Sequence, residues 1–498
     1  MSKNPILVLQ MQRMGDLALS FPLLAGLGKA FPEQELVVVG EAGFFEPLMS
    51  LSPPATYCGY ADAARFLNSK FHMVINLSHR AESAALAGRL KSDLHLGPRL
   101  DAAGRLFING DWQLYRASLT NNNHYNLYHW ADLNRLDIFS GAATPSPAWL
   151  GEKAKTLPSA GARIGLFLGA SERDKHPDVG FWAKLCLLLL KAGYRPVLLG
   201  GEAEKDLGRE TAAKAQAPAL NLTGRFSVKE LAGFMSGLDF FISPDTGPLH
   251  IAACLGLPLL NLSMGPVNPW ETGPYAAAQH IVCADLDCAG CWSCTQQRLL
   301  CGEVLRADKI FPLIRNLFSG SSDMPLSLQE KLSGLRLWRS RYEQSGLYDL
   351  ECLFPTPADV WPGPLRFSRS TARLKASGQR NRPDPARLPL SRFWQRWFGW
   401  LFGREGAQAQ AQSRAALRAA YPDADALIAS AAAAFALEMA KRFRTNPENI
   451  FTAQDLWLSS PPEFRPFSGY AHMYLQNLQG QRSAFLQVMR LAESLAES

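Results

Sequence analysis

The sequence predicts an α/β protein of two doubly wound, parallel-sheet halves followed by a mainly helical extension. Three observations carry that expectation. Short runs rich in Val, Ile and Leu alternate with longer amphipathic stretches up to about residue 320, the pattern of strands buried on both faces and joined by crossover helices. The alternation breaks once, in the polar, Pro-punctuated span Gly141–Ser159, and then begins again. Beyond about Ser321 it gives way to helical patterning with Pro-, Ser- and Arg-rich connections.

In the first half, Pro5–Gln10 reads as a strand, Gly15–Ala30 as its crossover helix, Glu35–Gly40 as a second strand and Phe44–Ser50 as a short helix. Strand His72–Leu77, helix Ala81–Leu90 and strand Asp93–Gly97 continue the rhythm. In the second half, Arg163–Leu168 and Arg195–Gly200 read as strands around the helix Phe181–Lys191. Helices Glu202–Ala215 and Ser227–Ser236 then lead into the buried strand Leu238–Ser243. A parallel neighbour needs a crossover long enough to hold a helix, so each half should be one parallel sheet covered on both faces. The span 141–159 would be the hinge, with a cleft between the halves. The expected domains are therefore 1–155, 160–320 and a helical extension, 325–498.

A chain of 498 residues is too long for one hydrophobic core. With 47% hydrophobic and 19% charged residues it reads as globular, and no apolar run is long enough to span a membrane. The opening apolar stretch is interrupted by Gln10, Gln12, Arg13 and Asp16 and lacks a small-residue cleavage pattern, so it reads as the first strand of a cytoplasmic protein. The net charge of +7 is modest but uneven: ten Lys and Arg against one acid, Asp384, lie between Arg366 and Arg404. That segment suits either a phosphate-rich or anionic lipid surface or a solvated linker, and nucleic acid is not expected as a partner.

The most informative stretch is Ile242–Pro258, where a buried strand runs through Asp245-Thr246-Gly247-Pro248 into a helix. Pro248 suits a first helical turn, whose N–H groups lack intrahelical partners anyway. Gly247 admits close approach to the backbone, and the free N–H groups with the positive dipole end form a seat for an anion. Asp245 as an ordinary helix cap accounts for the same residues.

Asn221–Ala232, Ser243–His250, Gly256-Leu-Pro258 and Gly273-Pro-Tyr275, in that order, resemble the heptosyltransferase-type family 9 glycosyltransferases, as do Arg13–Leu24 and Phe71–Arg80 in the first half. The resemblance covers roughly residues 5–318. It implies a GT-B architecture of two Rossmann-like domains, an acceptor domain and then a donor domain. It further implies inverting, metal-independent transfer of a heptose-like sugar, with a nucleotide diphosphate such as ADP leaving and a lipopolysaccharide-core or related lipid-linked or phosphorylated glycan as acceptor. Asp16, otherwise a helix cap, would then be the base. Ser171 and Lys175 would hold the pyrophosphate; Asp245, Thr246, Gly247 and Pro248 would line the diphosphate and sugar. His250 would reach a phosphate oxygen and Glu230 the ribose. Arg13, His79 and Arg80 would lie toward the acceptor.

Cys288, Cys291, Cys294 and Cys301 have a spacing that fits a structural zinc site, unmodified thiols or part of an iron–sulfur run, and the transfer chemistry requires no cofactor from them. Ser391–Phe402 places Phe393, Trp394, Trp397, Phe398 and Leu401 on one helical face flanked by Arg, suited either to peripheral docking on the inner membrane or to packing against the rest of the protein. A non-catalytic binding or assembly protein of the same fold, or a sugar-nucleotide epimerase, are the competing functions.

Overall fold

The computed structural model describes residues 4–139, 158, 161–217, 220–286, 288, 290–320, 324–343, 345–353, 387–402, 420, 428–435, 460–477 and 482–496. Nearly all of the expected hinge 141–159, most of the basic segment 366–404, and most of the expected helices Gln408–Ala420 and Ala424–Phe443 lie outside the described residues; within the second of these helices, 428–435 is described and is helical.

The first domain is a six-stranded sheet of β1 (Ile6–Leu9), β2 (Leu36–Gly40), β3 (Thr56–Gly59), β4 (Lys70–Asn76), β5 (Lys91–Leu100) and β6 (Leu106–Asn109), in the order β3-β2-β1-β4-β5-β6. All pairings are parallel except that of β5 with β6. Every residue of β1 and β2 is buried, because helices cover both faces. The one long helix expected over Gly15–Ala30 is two: α1 (Met14–Ala18) and a second over Phe21–Ala30. Pro22 explains the break, since its ring has no N–H to donate and would clash with the carbonyl four residues back.

The second domain's sheet comprises β7 (Arg163–Phe167), β8 (Arg195–Leu199), β9 (Phe240–Pro244), β10 (Leu259–Ser263), β11 (His280–Ala284), β12 (Leu335–Tyr342) and β13 (Tyr348–Cys352), ordered β13-β12-β11-β10-β9-β7-β8. Strands β7 to β11 are parallel, and β12 and β13 add antiparallel at one edge. The sheet therefore runs past residue 320 to Cys352, into the region expected to be helical. The sequence Leu335-Arg-Leu-Trp-Arg-Ser-Arg-Tyr342 carries the signal, an apolar–polar alternation of period two. Its arginines are matched across the hairpin and beyond, Arg339 to Glu351, Arg341 to Asp349 and Arg336 to Asp285.

The extension packs on the first domain. Helix α2 (Asp111–Ser118) presents Trp112 and Tyr115, and α5 (Arg387–Phe402) buries Phe393, Trp394, Trp397 and Phe398 against that face and against the helix Arg465–Asn477. The rings of Tyr115 and Phe398 lie 4.6 Å apart, and those of Trp397 and Phe467 5.7 Å apart. These aromatics are at most 3% exposed, which corrects the reading of Ser391–Phe402 as a membrane-docking face: they are core, as aromatic stripes at helical spacing usually are. Arg392 reaches Asp349 and Glu343 in the β12–β13 hairpin, so α5 touches both domains. Among the described residues no helix is long and apolar enough to cross a membrane.

Candidate active site between the domains

Every sequence-predicted catalytic, donor-side or acceptor-side residue but Glu230 sits at or just beyond the carboxyl end of a parallel strand, where open α/β sheets hold ligands, or in the helical turn that follows. Arg13 and Asp16 follow β1, His79 and Arg80 follow β4, Ser171 and Lys175 follow β7, and Asp245, Thr246 and Gly247 follow β9. The loop after β1 faces the start of α3 (Gly247–Cys254) directly. A Cβ placed on Gly247 would lie 3.9 Å from the Gly15 nitrogen, and one on Gly15 would lie 3.1 Å from the His250 ring. Two glycines thus let α1 and α3 approach closely, with the Met14 and His250 side chains filling the contact.

Asp16 is enclosed at this junction. Burial pushes its pKa up; Arg116 and then Arg13 pull it back down. Arg13, not Asp16, occupies the N-cap position of α1, so the carboxylate is left facing its cationic neighbours. On the donor side, burial raises Asp245 to about 6, against the Thr272 hydroxyl and the Lys175 charge, which lower it. Lys175 is thus within electrostatic reach of Asp245, and its ammonium lies 3.0 Å from Glu172. Pro248 occupies the first turn of α3, and Thr246 is its N-cap residue without a side-chain cap bond. Ser171 is exposed in the loop after β7.

Three sequence-predicted residues have neighbours within the protein. His250 is buried against Gly15, 3.9 Å from Asp245, and burial lowers it to about 3, so it is neutral. Glu230 accepts from the backbone N–H (2.8 Å) and hydroxyl (2.7 Å) of Ser227, closing a capping box at the start of the helix Val228–Met235. Arg80 pairs with Glu41 at 3.2 Å. His79 is exposed at the cleft, but partial desolvation and then the Arg116 charge lower its pKa, and its Nε2 accepts from Arg116 at 3.2 Å.

Arg116 itself was not singled out from sequence. It lies on α2, 3% exposed, and donates to the Leu77 carbonyl (2.8 Å) and to Gln113, with its guanidinium 4.5 Å from the Trp130 ring centroid. Burial lowers it only to about 10, with Asp16 acting in the opposite direction, so it stays cationic at neutral pH. The one available signal was an arginine amid the apolar residues of Trp112–Tyr115, which only the fold directs at Asp16.

Beneath the cleft the domains meet in a buried polar seam. Glu271, on α4 (Pro269–Thr272), accepts from Asn123 (2.7 Å) and Asn126 (2.9 Å) of the first domain. Burial pushes Glu271 up to about 7, with the Asn donors lowering it and Asp245 raising it. An acid raised in the folded state contributes stability that is full below its unfolded pKa and is lost as pH rises through the folded value. Glu271→Gln mimics the protonated acid, so its stability relative to wild type should rise between about pH 4.5 and 7 and then level off. The gain should be on the order of 3 kcal/mol. Denaturant titrations of both proteins at pH 5 and pH 8 check this; a difference that does not change with pH would refute it.

Zinc was one of three readings of Cys288, Cys291, Cys294 and Cys301; among the described residues no group of three or more His, Cys, Asp or Glu is disposed to hold a metal ion. Cys291 instead donates to the Gly265 carbonyl (3.7 Å), and Cys301 accepts from the Gly265 N–H (3.3 Å). Gly265 has φ +75°, and a Cβ there would lie 2.3 Å from the Asp174 carbonyl oxygen. The cysteine loop therefore backs the segment that carries Lys175.

Residues 62–300 match the model of Glycosyltransferase family 9 (heptosyltransferase), a span that includes Arg116, Lys175 and Asp245 and begins after Asp16. Lipopolysaccharide heptosyltransferase 1 of Pseudomonas aeruginosa is 33% identical over 141 residues, 28% of this chain and 39% of that protein. The chain thus spans well under half the length of that relative. Lipopolysaccharide heptosyltransferase 1 of Escherichia coli K12 is 25% identical over 310 residues, 55% of this chain and 92% of that protein. Among solved structures, E. coli ADP-heptose LPS heptosyltransferase II aligns at 18% identity with a TM-score of 0.47, over 64% of this chain and 99% of its own.

Proposed function

We propose, from the match of residues 62–300 to the glycosyltransferase family 9 model, that the chain moves a heptose from ADP-heptose to a lipopolysaccharide-core acceptor with inversion. The observation that supports this most is the apposition of Asp16 to the N-terminus of α3, with Asp245 and Lys175 beside it. Asp16 takes the proton of the acceptor hydroxyl, whose oxygen attacks the anomeric carbon as the sugar–phosphate bond breaks and ADP leaves. The leaving diphosphate gathers negative charge, which Lys175 and the positive N-terminal end of α3 at Gly247 offset without a metal ion. Ser171, Thr246 and Gly247 line the same face. Arg13 lies toward a phosphorylated acceptor, with His79 nearby, while the buried Arg116 acts on Asp16.

The test is turnover of ADP-heptose with an LPS-core oligosaccharide, read as ADP release and product mass. Absence of transfer, with release from donor alone, would refute the reading. Lys175→Ala should raise the Kd for ADP roughly tenfold and lower kcat further, because a point charge on a leaving phosphate counts most in the transition state. Calorimetry with ADP and initial rates check this; unchanged ADP affinity would remove Lys175 from the site.

A further inference from the structure

The structure ties the donor-side carboxylate to the acceptor domain through one short element. The Thr272 hydroxyl donates to Asp245 Oδ2 at 2.5 Å. Thr272 is the last residue of α4, whose N-cap residue, Asn268, accepts from the Trp270 N–H at 3.1 Å. The same Asn268 side chain donates across the domain boundary to the carbonyls of Asn123 and Asn126, both at 3.1 Å, while Glu271 accepts from the side chains of those two residues. His129 closes the seam. Its Nδ1 accepts from the Ala131 N–H, which fixes the tautomer and leaves Nε2–H to donate to the Gly273 carbonyl at 2.9 Å. Asn126 is held in turn by the Tyr115 hydroxyl at 2.8 Å, one residue from Arg116 on α2. Asn123, Asn126, His129, Asn268 and Glu271 are all at most 5% exposed.

We propose that α4 is a coupling element: Thr272 and Glu271 are positioning residues that set the orientation of Asp245 only while the two domains are docked. The physical reason lies in what the acid faces. A carboxylate beside a diphosphate site opposes the ligand's charge, so the direction in which it is held matters, and Thr272 holds Oδ2. Thr272 ends a four-residue helix anchored on two sides: Trp270 packs on Trp338 of its own domain, with ring centroids 4.7 Å apart, while Asn268 and Glu271 are bonded to the first domain. Separation of the domains would remove the second anchor and loosen the hold on Asp245, so binding of nucleotide and readiness for transfer become distinct states. This rests on the reading of Asp245 as a donor-side residue.

The experiment compares Thr272→Val, Thr272→Ser, Glu271→Gln and the double variant Thr272→Val/Glu271→Gln in the full chain. ADP is the binding probe, and ADP-heptose with an LPS-core oligosaccharide supports turnover. Thr272→Val should lower kcat about tenfold, the scale of one lost hydrogen bond to a charged group. Its ADP affinity should stay within about twofold, and Thr272→Ser should restore kcat. Glu271→Gln should act in the same direction, and the double variant should be no worse than the poorer single, because both act through one element. Wild-type kcat in Thr272→Val, or losses that multiply in the double variant, would overturn the coupling. If Asp16→Asn abolishes turnover while Thr272→Val does not lower it, the transferase reading stands and this one falls. If the wild type transfers nothing, the earlier reading fails first.

Discussion

Asp16→Asn is expected to reduce sugar transfer by about 10² to 10⁴, the span attributable to a positioned general base, while ADP affinity stays near wild type. The substitution keeps shape and removes only the capacity to take a proton. Its structural cost should be small: Arg13 stands at the N-cap of α1, no side-chain cap bond is made there, and the Arg13 and Asp16 backbone N–H groups that the carboxylate accepts from can donate equally to the Asn amide oxygen. Some stability is even regained, because burial works against its charge. The two readings of this residue, helix cap and base, therefore part clearly. A cap predicts a lower melting temperature with normal turnover per folded molecule; a base predicts normal melting with turnover gone. Calorimetry with ADP, a thermal melt and initial rates on one preparation decide between them. Near-full turnover would end the assignment.

Strands such as Ile6–Leu9 and Leu36–Gly40 were legible in the sequence because burial on both faces leaves uninterrupted apolar runs, although the equally interior Leu259–Ser263 and His280–Ala284 were not read. Two edge strands of the first sheet were not legible either. Thr56–Gly59 and Leu106–Asn109 are short and half exposed, and the second is held partly by Asn477, whose side chain exchanges hydrogen bonds with the Ile108 backbone from 369 residues away. The loops that carry Asp16, Lys175 and Asp245 could be found by their strand–turn–helix setting. Arg116, Thr272 and Glu271 could not, since each acquires its meaning from a segment distant in the chain. Hydrogen-bonded pairs such as Asn126 with Glu271, separated by 145 positions, leave no local periodicity to read. The tail shows the same limit. Its aromatic stripe was visible, but only packing decides whether such a stripe meets lipid or protein, and here Trp112 and Tyr115 receive it.

Arg116→Met is expected to move the acid limb of the transfer rate to higher pH and to lower kcat at pH 7 by roughly 10². The sign follows from the neighbours of Asp16. Burial raises its pKa, and the largest opposing influence is the Arg116 charge. Without that cation the carboxylate holds its proton to higher pH, so a smaller fraction is available as base at neutrality. The loss should shrink as pH rises, and Arg116→Lys should retain most of the rate. Removing the guanidinium also leaves the Leu77 carbonyl without its 2.8 Å donor, at a stability cost of about 1–3 kcal/mol that a melt measures separately. The pH–rate profile discriminates between two jobs for the same charge. If Arg116 tunes Asp16, the deficit depends on pH and the acceptor KM changes little. If Arg116 instead grips a phosphate of the acceptor, the deficit is uniform across pH and appears in that KM. A buried cation packed over Trp130, with two of its nitrogens already donating to protein groups, has little left to offer an incoming ligand. The first outcome is the expected one, and a pH-independent loss confined to the acceptor KM would reverse it.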